Sequence, residues 1–323
     1  MATTVEYEPS RHVERYLTRL EGLVAEQTHR SNKSYFKHYE EWLRAEHDGD
    51  VTSVGPLTIE DFLIALSNDG YAGGTVNKHY YALKKFYEFL DEKVDVIEET
   101  PFKGVDREDL SRVLSGNRKA DAAREDITYL TPEEVDQVAE NVPAPRFRNE
   151  LMIRLQFQTG VRQGELVNIK IDDIDRDERS IRIHAEKTGK NRTVYYQPSL
   201  DFLMNQWLDG GEREAFPPAR ESPYLFLSRS SEQLRDNRVN KVVKEASKEA
   251  GLNEVLYTDA KGDKRWKISS HSLRHSHAIA SIRSNIDIER VRRHMGHASL
   301  DQTQQYLRFA EQDVKEAYAK FDA

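Results

Sequence analysis

The sequence predicts a mainly α-helical protein with two domains and a small antiparallel β-sheet in the second domain. Two patterns support this prediction. Apolar and aromatic residues recur at helical spacing through the first hundred residues, and after residue 166 the period changes to strict alternation before helical spacing returns. A chain of 323 residues is also long enough to bury two cores of ordinary size.

Helices account for the first domain. An apolar stripe from Tyr35 to Leu43 indicates one helix, and a second runs from Thr58, which we expect to be its N-cap, to Leu66. A third follows the break at Gly73-Gly74, with Thr75 as its expected N-cap, and continues to Leu90. We expect the aromatic residues of these stripes to form the core. The other face of the third helix is polar and presents Lys78, His79, Lys84 and Lys85.

A polar stretch from Ser111 to Asp126 indicates a linker. We therefore expect a helical domain at 1–115, a linker at 116–126 and a second domain at 127–323. The second domain opens with a strong helix-start signal. Thr131 is the expected N-cap, Pro132 occupies the first helical position and Glu134 the third. Leu130 and Val135 on either side of them are placed to form a hydrophobic staple.

The second domain continues with a helix that ends at Thr159-Gly160 and then with a β-hairpin. Ile181, Ile183 and Ala185 point to one face of the first strand, and Thr193 to Tyr196 form the return strand. This hairpin places Lys187 where a strand enters its turn. From Asn237 onward we expect helices, interrupted by a loop over residues 258–267.

Composition excludes several classes of protein. The chain contains no cysteine, which rules out disulfide scaffolds, cysteine-ligated zinc and cysteine nucleophiles. No apolar run approaches the roughly 18 residues of a membrane span, and the N-terminus lacks the apolar centre of a secretory signal. We therefore expect a cytoplasmic protein.

The net charge of -8 argues against a nucleic-acid partner until its distribution is considered. Residues 1–115 contain 14 Lys and Arg against 22 Asp and Glu, whereas residues 116–323 contain 34 of each. Within the balanced part, the stretch from Arg274 to Arg293 has five arginines and two carboxylates. A basic active-site groove is therefore compatible with the total. The acidic excess fits either a protein that works at high salt or an ordinary acidic surface.

Six side chains of the second domain have the chemistry for metal-independent attack on a phosphodiester. Arginine guanidiniums complement the non-bridging oxygens of the transition state, and histidines donate hydrogen bonds or transfer protons near neutral pH. A lysine can protonate the leaving alkoxide, and a tyrosine beside positive charge can act as the nucleophile. The candidate residues are Arg162, Lys187, His271, Arg274, His297 and Tyr306.

Composition and spacing alone leave other interpretations open. Tyr306 can be a packing residue, Arg162 can simply pair with Glu165 three positions on, and Lys187 can be a solvated surface lysine. Histidines are also common zinc ligands, but no carboxylate or HExxH pattern completes a site around His271, His275 and His277. We therefore expect no catalytic metal.

Four short motifs, in order, resemble those of the tyrosine recombinase or phage integrase family. They are the first arginine box at Thr159 to Leu166, the hairpin at Glu186 to Arg192, the H-x-x-R box at His271 to His275, and the G-H box at Met295 to Ser299 followed by Tyr306. Met295 replaces the usual leucine, and Gln302 a frequent threonine. The helical pattern of the first domain is similar to the SAM-like, core-binding domain of the family, and the overall layout resembles the two-domain Xer recombinases.

The resemblance implies a role for each candidate residue. Arg162 and Arg274 would clamp the scissile phosphate, Lys187 would protonate the leaving 5′ oxygen, His271 would assist proton transfer, His297 would hydrogen-bond a phosphate oxygen, and Tyr306 would form a 3′-phosphotyrosine. Glu165 would orient Arg162 or the hairpin. No cofactor is implied, because the covalent bond conserves the energy of the phosphodiester. We expect further DNA contacts from Lys78, Lys84, Lys85, Arg192 and Asn240.

The implied partner is double-stranded DNA that carries a specific site, bound by a tetramer of this chain that forms on DNA from monomers or weak dimers. Three alternatives remain at this point. A type IB topoisomerase would use the same chemistry on one strand, a DNA-binding regulator would keep the fold without activity, and a metal-dependent nuclease would be sensitive to EDTA.

Overall fold

A computed structural model of the chain describes residues 7–106, 108, 110–111, 127–184, 191–259 and 262–309. The chain divides into two compact units, of which the first comprises Met1–Asp126 with Tyr257–Lys264 and the second Ile127–Leu256 with Arg265–Ala323. The predicted linker, 116–126, lies outside the described residues. Among the described residues, no helix has the length and apolar character that a membrane span requires.

The first unit is built from helices α1 Arg11–Glu21, α2 Glu26–Glu46, α3 Pro56–Asn68 and α4 Gly73–Phe89. Short turns of other helix types follow at Leu90–Val94 and Pro101–Lys103. Two predicted N-caps are wrong. The helix expected to start at Thr58 begins at Pro56 because a proline suits the first helical position. Thr75 lies within the first turn of α4, where its backbone N–H donates to Ala72.

The core of the first unit is aromatic, as the sequence predicted. Phe36 and Phe86 pack edge to face with ring centroids 5.1 Å apart, and the hydroxyl groups of Tyr39 and Tyr87 lie 2.6 Å apart within this core. The prediction that His79 lies on the polar face of α4 is wrong. This side chain is 1% exposed because α4 packs against helices on more than one side.

The second unit begins as the sequence predicted. Helix α5 spans Pro132–Glu140, and its N-cap Thr131 forms a capping box with Glu134. Helix α6, Arg146–Thr159, ends at Gly160 in the left-handed conformation with φ 62°, and the short helix α7, Gln163–Val167, follows directly. The first arginine box therefore forms a tight turn between two helices.

The predicted hairpin is present as part of a three-stranded antiparallel sheet of β1 Ile174–Asp175, β2 Ser180–Ile183 and β3 Arg192–Tyr195. Ile181 pairs with Val194, and both are buried, whereas Arg182 is exposed on the opposite face. The turn that contains Lys187 lies outside the described residues. The prediction of a loop over residues 258–267 is wrong at both ends of that range. The strands β4 Val255–Thr258 and β5 Lys264–Trp266 pair there in a two-stranded sheet.

The remaining helices enclose the main core and carry the other motifs. They are α8 Asp201–Leu208, α9 Asp236–Glu249, α10 Ser270–Arg283, α11 Ile288–Met295 and α12 Asp301–Gln304. Helix α10 packs against α6 and α11, which brings the H-x-x-R box beside the ends of two other helices. The mainly helical fold class with small antiparallel sheets is confirmed.

Candidate active site

Arg274 lies at the centre of the site and is only 2% exposed. Its guanidinium donates to the carbonyl oxygens of Gly160, at the end of α6, and of Met295, the latter at 2.7 Å, at the end of α11. Helix C-termini carry partial negative charge and unsatisfied carbonyls, and both stabilise a cation there. Among the described residues, no carboxylate lies within ion-pair distance of Arg274. Burial and the nearby Arg162 lower its pKa to about 9, so the guanidinium stays protonated at neutral pH.

Three arginines donate hydrogen bonds to backbone carbonyls at the end of helix α11. Arg192 donates to the carbonyl of His294 at 2.8 Å, and Arg162 donates to the carbonyl of Gly296 at 3.4 Å, next to the carbonyl of Met295 that accepts from Arg274. Gly296 adopts φ 68°, and a Cβ atom there would lie 2.9 Å from the Arg192 guanidinium. The glycine of the G-H box is therefore required both by its backbone conformation and by this close approach.

Glu165 links the arginines at the edge of the site. Its carboxylate accepts two hydrogen bonds from Arg192, at 2.9 and 2.8 Å, one from the Arg162 guanidinium at 3.1 Å, and one from the Arg162 backbone N–H at 2.8 Å. Burial alone would raise the pKa of Glu165, but these contacts outweigh it and hold the pKa at about 2. The proposed pair of Arg162 and Glu165 is thus present, and it forms part of a larger network.

Two of the predicted histidines flank the arginines. His297 is 8% exposed, and its Nδ1 lies 2.8 Å from the Oγ1 of the fully buried Thr303, so Nε2 is the nitrogen that can face a ligand. Burial and then the charges of Arg274, Arg162 and Arg192 lower the pKa of His297 to about 3. Desolvation by the surrounding protein, followed by Arg274 and Arg162, also lowers the pKa of His271, which sits at the exposed rim. Both imidazoles are therefore neutral near pH 7.

Tyr306 is 2% exposed, with its ring against an apolar cluster of α10 and α11 residues. Its hydroxyl lies 2.8 Å from Nδ1 of His275, a residue that the sequence placed in the H-x-x-R box without a role in the reaction. Burial raises the pKa of Tyr306 despite the opposing charges of Arg274 and Arg162. Burial, followed by His271, Arg274 and His297, lowers the pKa of His275 to about 3.

The structure brings Arg162, His271, Arg274, His297 and Tyr306 into one site. Sequence reasoning missed His275 and Thr303, which contact Tyr306 and His297. Only the helical spacing of His275 from His271 hinted at the first, and nothing marked the second. Lys187 lies outside the described residues, although the strands on both sides of its turn are present and Arg192, on β3, ties that hairpin to Glu165.

The residues predicted to contact DNA are found in different surroundings. Lys78 and Lys85 are exposed on α4, and Lys84 is half-buried. Arg192 is committed to the protein, since its side chain is 11% exposed and all three guanidinium nitrogens donate to Glu165 or His294. The Oδ1 atom of Asn240 accepts from the backbone N–H of Ser270 at 3.1 Å, at the start of α10.

Comparison with known proteins identifies a family and relatives that cover about four fifths of the chain. Residues 128–313 match the phage integrase family, and the chain belongs to it. The chain is 29% identical over 260 residues to the tyrosine recombinase XerA of Pyrococcus furiosus, covering 79% of this chain and 77% of that protein. It is 27% identical over 262 residues to the tyrosine recombinase XerC of Roseiflexus castenholzii, covering 80% and 74%.

Solved structures share the fold. The XerH site-specific recombinase bound to its palindromic difH substrate, in a post-cleavage complex, matches with a TM-score of 0.70 at 22% identity and covers 95% of this chain and 83% of that one. A lambda integrase dimer bound to a core site matches with a TM-score of 0.67 at 17% identity, covering 91% and 93%. A lambda integrase tetramer bound to a Holliday junction matches with a TM-score of 0.65 at 17% identity, covering 91% and 76%.

Proposed function

We infer from its membership of the phage integrase family that this chain, a tyrosine recombinase, cleaves and rejoins DNA at a specific site through a 3′-phosphotyrosine at Tyr306. The reaction would need neither a metal nor a cofactor. Each transesterification exchanges one phosphodiester for another, so the energy of the bond is retained for religation.

The observation that carries this proposal is the buried charge of Arg274. Burying a guanidinium costs several kcal/mol unless an anion or strong dipoles compensate it. Here two helix ends offset part of that cost, and Glu165 acts on the guanidinium only from beyond ion-pair distance, as no carboxylate among the described residues forms an ion pair with it. Arg162 adds a second guanidinium nearby, with its own carboxylate already engaged by Arg192. This arrangement supports a pocket for an anion with the bidentate geometry of a phosphate.

The chemistry then follows from the residue types around that pocket. In the forward step the hydroxyl oxygen of Tyr306 bonds to phosphorus while the bond from phosphorus to O5′ breaks. Arg162 and Arg274 would stabilise the charge on the non-bridging oxygens, as would His297, whose orientation Thr303 fixes. Lys187 would protonate O5′, and His271 at the rim would assist that transfer. Glu165 and Arg192 would hold Arg162 and the Lys187 hairpin in position rather than touch DNA.

For DNA binding we assign residues 1–115 to a helical core-binding domain and residues 127–323 to the catalytic domain, with 116–126 as the linker. Lys78 and Lys85, seven positions apart, lie on the exposed face of α4 with the half-buried Lys84 beside it, and all three are suited to phosphate contacts. In the catalytic domain, Asn240 lines a surface groove on α9 together with several lysines, which supports its predicted role. The lysines of that groove are Lys241, Lys244 and Lys248.

We further assign the chain to a tetramer that assembles on two DNA sites. After Tyr306 the sequence has apolar residues at helical spacing, from Leu307 to Phe321, of which 310–323 lie outside the described residues. The catalytic unit offers an apolar groove of about 660 Å³, lined in part by Phe157, Tyr195 and Ile286. A terminal helix donated by a neighbouring protomer would fit such a groove and would make cleavage depend on assembly.

Covalent trapping tests the proposed function on many candidate DNA sequences at once. A pool of nicked duplexes with randomised sequence is incubated with the protein in EDTA, and DNA that stays attached after denaturation is sequenced. We expect adducts enriched in one sequence from the native chain and none from Tyr306→Phe, with duplex binding retained by the variant. An adduct of equal yield in Tyr306→Phe would refute the assignment, and loss of cleavage in EDTA would favour a metal-dependent nuclease. Relaxation of supercoiled plasmids without that sequence would favour a topoisomerase.

A further inference from the structure

The hydroxyl of Tyr306 is enclosed by protein. The residue is 2% exposed, and its ring contacts an apolar cluster that includes Ile279, Val291 and Met295. Within the described part of the chain, His275 is the only hydrogen-bond partner of this hydroxyl, at 2.8 Å. The Tyr306 side chain is therefore largely shielded from bulk water in the DNA-free protein.

This enclosure limits where the phenolic proton can go. Burial raises the pKa of Tyr306, so the hydroxyl is protonated at neutral pH, and a protonated phenol is a weak nucleophile. Since bulk water is largely shielded from this side chain, a protein group in contact with the oxygen is the nearest acceptor for the proton. An imidazole in hydrogen-bond contact meets the geometric requirement for a general base.

Burial and then the surrounding charges lower the pKa of His275 and keep it neutral before DNA binds, and DNA would act on the second of these causes. On its own helix the imidazole faces His271, whose ring centroid is 4.4 Å away, and Arg274, while His297 approaches from the loop after α11. On the apolar side of Tyr306 the titratable groups are Tyr129 and Arg283, and Arg162 acts on Tyr306 from the start of α7. The cations among these groups oppose a proton on His275, and a bound phosphate would offset them and raise its proton affinity.

We propose that His275 is a catalytic residue of this chain, which holds the hydroxyl of Tyr306 for attack and accepts its proton. As the bond from the Tyr306 oxygen to phosphorus forms, the proton moves to Nδ1 of His275, the bond to O5′ breaks, and O5′ takes a proton from Lys187. Religation runs the same transfers in reverse and restores both groups. The step uses the His275 tautomer with its proton on Nε2. This inference rests on the proposed function, because it assigns Tyr306 as the nucleophile.

The test removes the base at position 275 and, separately, makes the phenol at position 306 more acidic. His275→Asn keeps a polar group near the Nδ1 position but cannot accept a proton, and 3,5-difluorotyrosine introduced at position 306 ionises more readily than tyrosine. On the trapped DNA sequence, we expect His275→Asn to slow single-turnover adduct formation about 10²-fold at pH 7. Difluorotyrosine at position 306 should recover most of that loss, to within about tenfold of the native rate. An equal loss with either phenol would overturn the proposal.

Two controls separate proton transfer from damage to the fold. Thr303→Val removes the other hydrogen bond between this segment and an imidazole, so it should slow cleavage without recovery by difluorotyrosine. His275→Phe keeps the ring without its nitrogens and replaces His275→Asn if the latter melts early. A faster reaction in either His275 variant would show that the contact restrains Tyr306, and this result too would overturn the proposal.

A measurement without DNA distinguishes failure of this inference from failure of the proposed function. The ¹⁹F resonance of difluorotyrosine at position 306 reports the hydrogen bond directly in the free protein. We expect His275→Asn to shift this resonance and to change its titration with pH, whereas His47→Asn, on the first unit, should leave it unaltered. An unchanged resonance in His275→Asn would refute the contact even if Tyr306 proves to be the nucleophile. A shifted resonance with no adduct on any DNA would instead count against the proposed function alone.

Discussion

The two arginines of the active site lie in different surroundings. Arg274 is 2% exposed and is held by the carbonyl oxygens of two helix ends, whereas the Arg162 side chain is 45% exposed and is held by a carboxylate. The buried half of the site, Arg274 with His297 and Tyr306, is fixed by the packing of α10 against α6 and α11. At the rim, the ion pairs of Glu165 hold Arg162 and Arg192, the latter on β3, and His271 is exposed on α10.

This difference indicates that the proposed phosphate pocket would combine two kinds of support. The buried half holds positive charge in a place where water cannot compensate it, and this favours an entering anion. The rim is held by the ion pairs of Glu165, which respond to pH. Substitutions in the buried half should therefore affect both stability and cleavage. At the rim, substitution of the exposed Arg162 should mainly affect cleavage, whereas substitution of Glu165, whose side chain is 12% exposed between two arginines, should also affect stability.

The strongest test exchanges each arginine for glutamine. Arg274→Gln should reduce cleavage about 10³-fold and leave the carbonyls of Gly160 and Met295 without their donors. Unsatisfied buried groups cost about 1–3 kcal/mol each, partly offset by removal of a buried charge, so we expect a net loss of about 2 kcal/mol in unfolding free energy. Arg162→Gln should reduce cleavage similarly but change stability by less than about 1 kcal/mol.

Urea denaturation and single-turnover cleavage measure both effects in parallel. Equal destabilisation by the two substitutions would show that the distinction between the buried half and the rim has no energetic basis.

Substitution of Lys187 tests its proposed role as the general acid for the leaving oxygen. Lys187→Ala should slow cleavage of an ordinary phosphodiester by about 10²-fold or more, because a general acid is lost. A substrate with a 5′-bridging sulfur releases a thiolate that needs no proton, so its cleavage should be nearly unaffected. Equal impairment on both substrates would leave Lys187 as a phosphate contact only.

The pH dependence of stability tests Glu165. A pKa lowered from 4.5 to about 2 stabilises the folded state above pH 4.5, and this contribution is lost as the pH falls through 2. The shift corresponds to about 3 kcal/mol at neutral pH. Glu165→Gln should therefore unfold more easily than the native chain at pH 7, and the two unfolding curves should converge between pH 4.5 and 2. A constant difference across that range would contradict this account.

The smallest expected effect concerns the C-terminal segment, which belongs to neither half of the site. Deletion of residues 311–323 should weaken cooperative binding to paired sites and reduce recombination, while binding to a single site stays intact. Gel-shift titrations on one-site and two-site duplexes compare these directly. If cooperativity is unchanged in the truncated protein, the segment packs on its own subunit and the exchange between protomers is refuted.

Much of the fold was predictable because its signals are local. The capping box of Thr131 and Glu134, the left-handed Gly160 and the alternation of Ile181 and Ile183 depend on neighbours within a few residues. The errors arose where tertiary contacts decide. His79 was assigned to a polar face because flanking lysines dominate the pattern. The strands at residues 255–258 and 264–266 are short and bury no residue, so they lack the alternation of buried and exposed residues that predicts a strand.

The sequence by itself determined the fold class and the motifs that contain Arg162, His271, Arg274, His297 and Tyr306, because each motif carries its own local geometry. Only the tertiary structure decided how those groups are held. The bond between Tyr306 and His275 joins residues 31 positions apart, and Arg192 meets the carbonyl of His294 across 102 positions. No periodicity encodes such pairs. They depend on how α10, α11 and the hairpin pack, which also decides that one arginine is buried and the other stands at the rim.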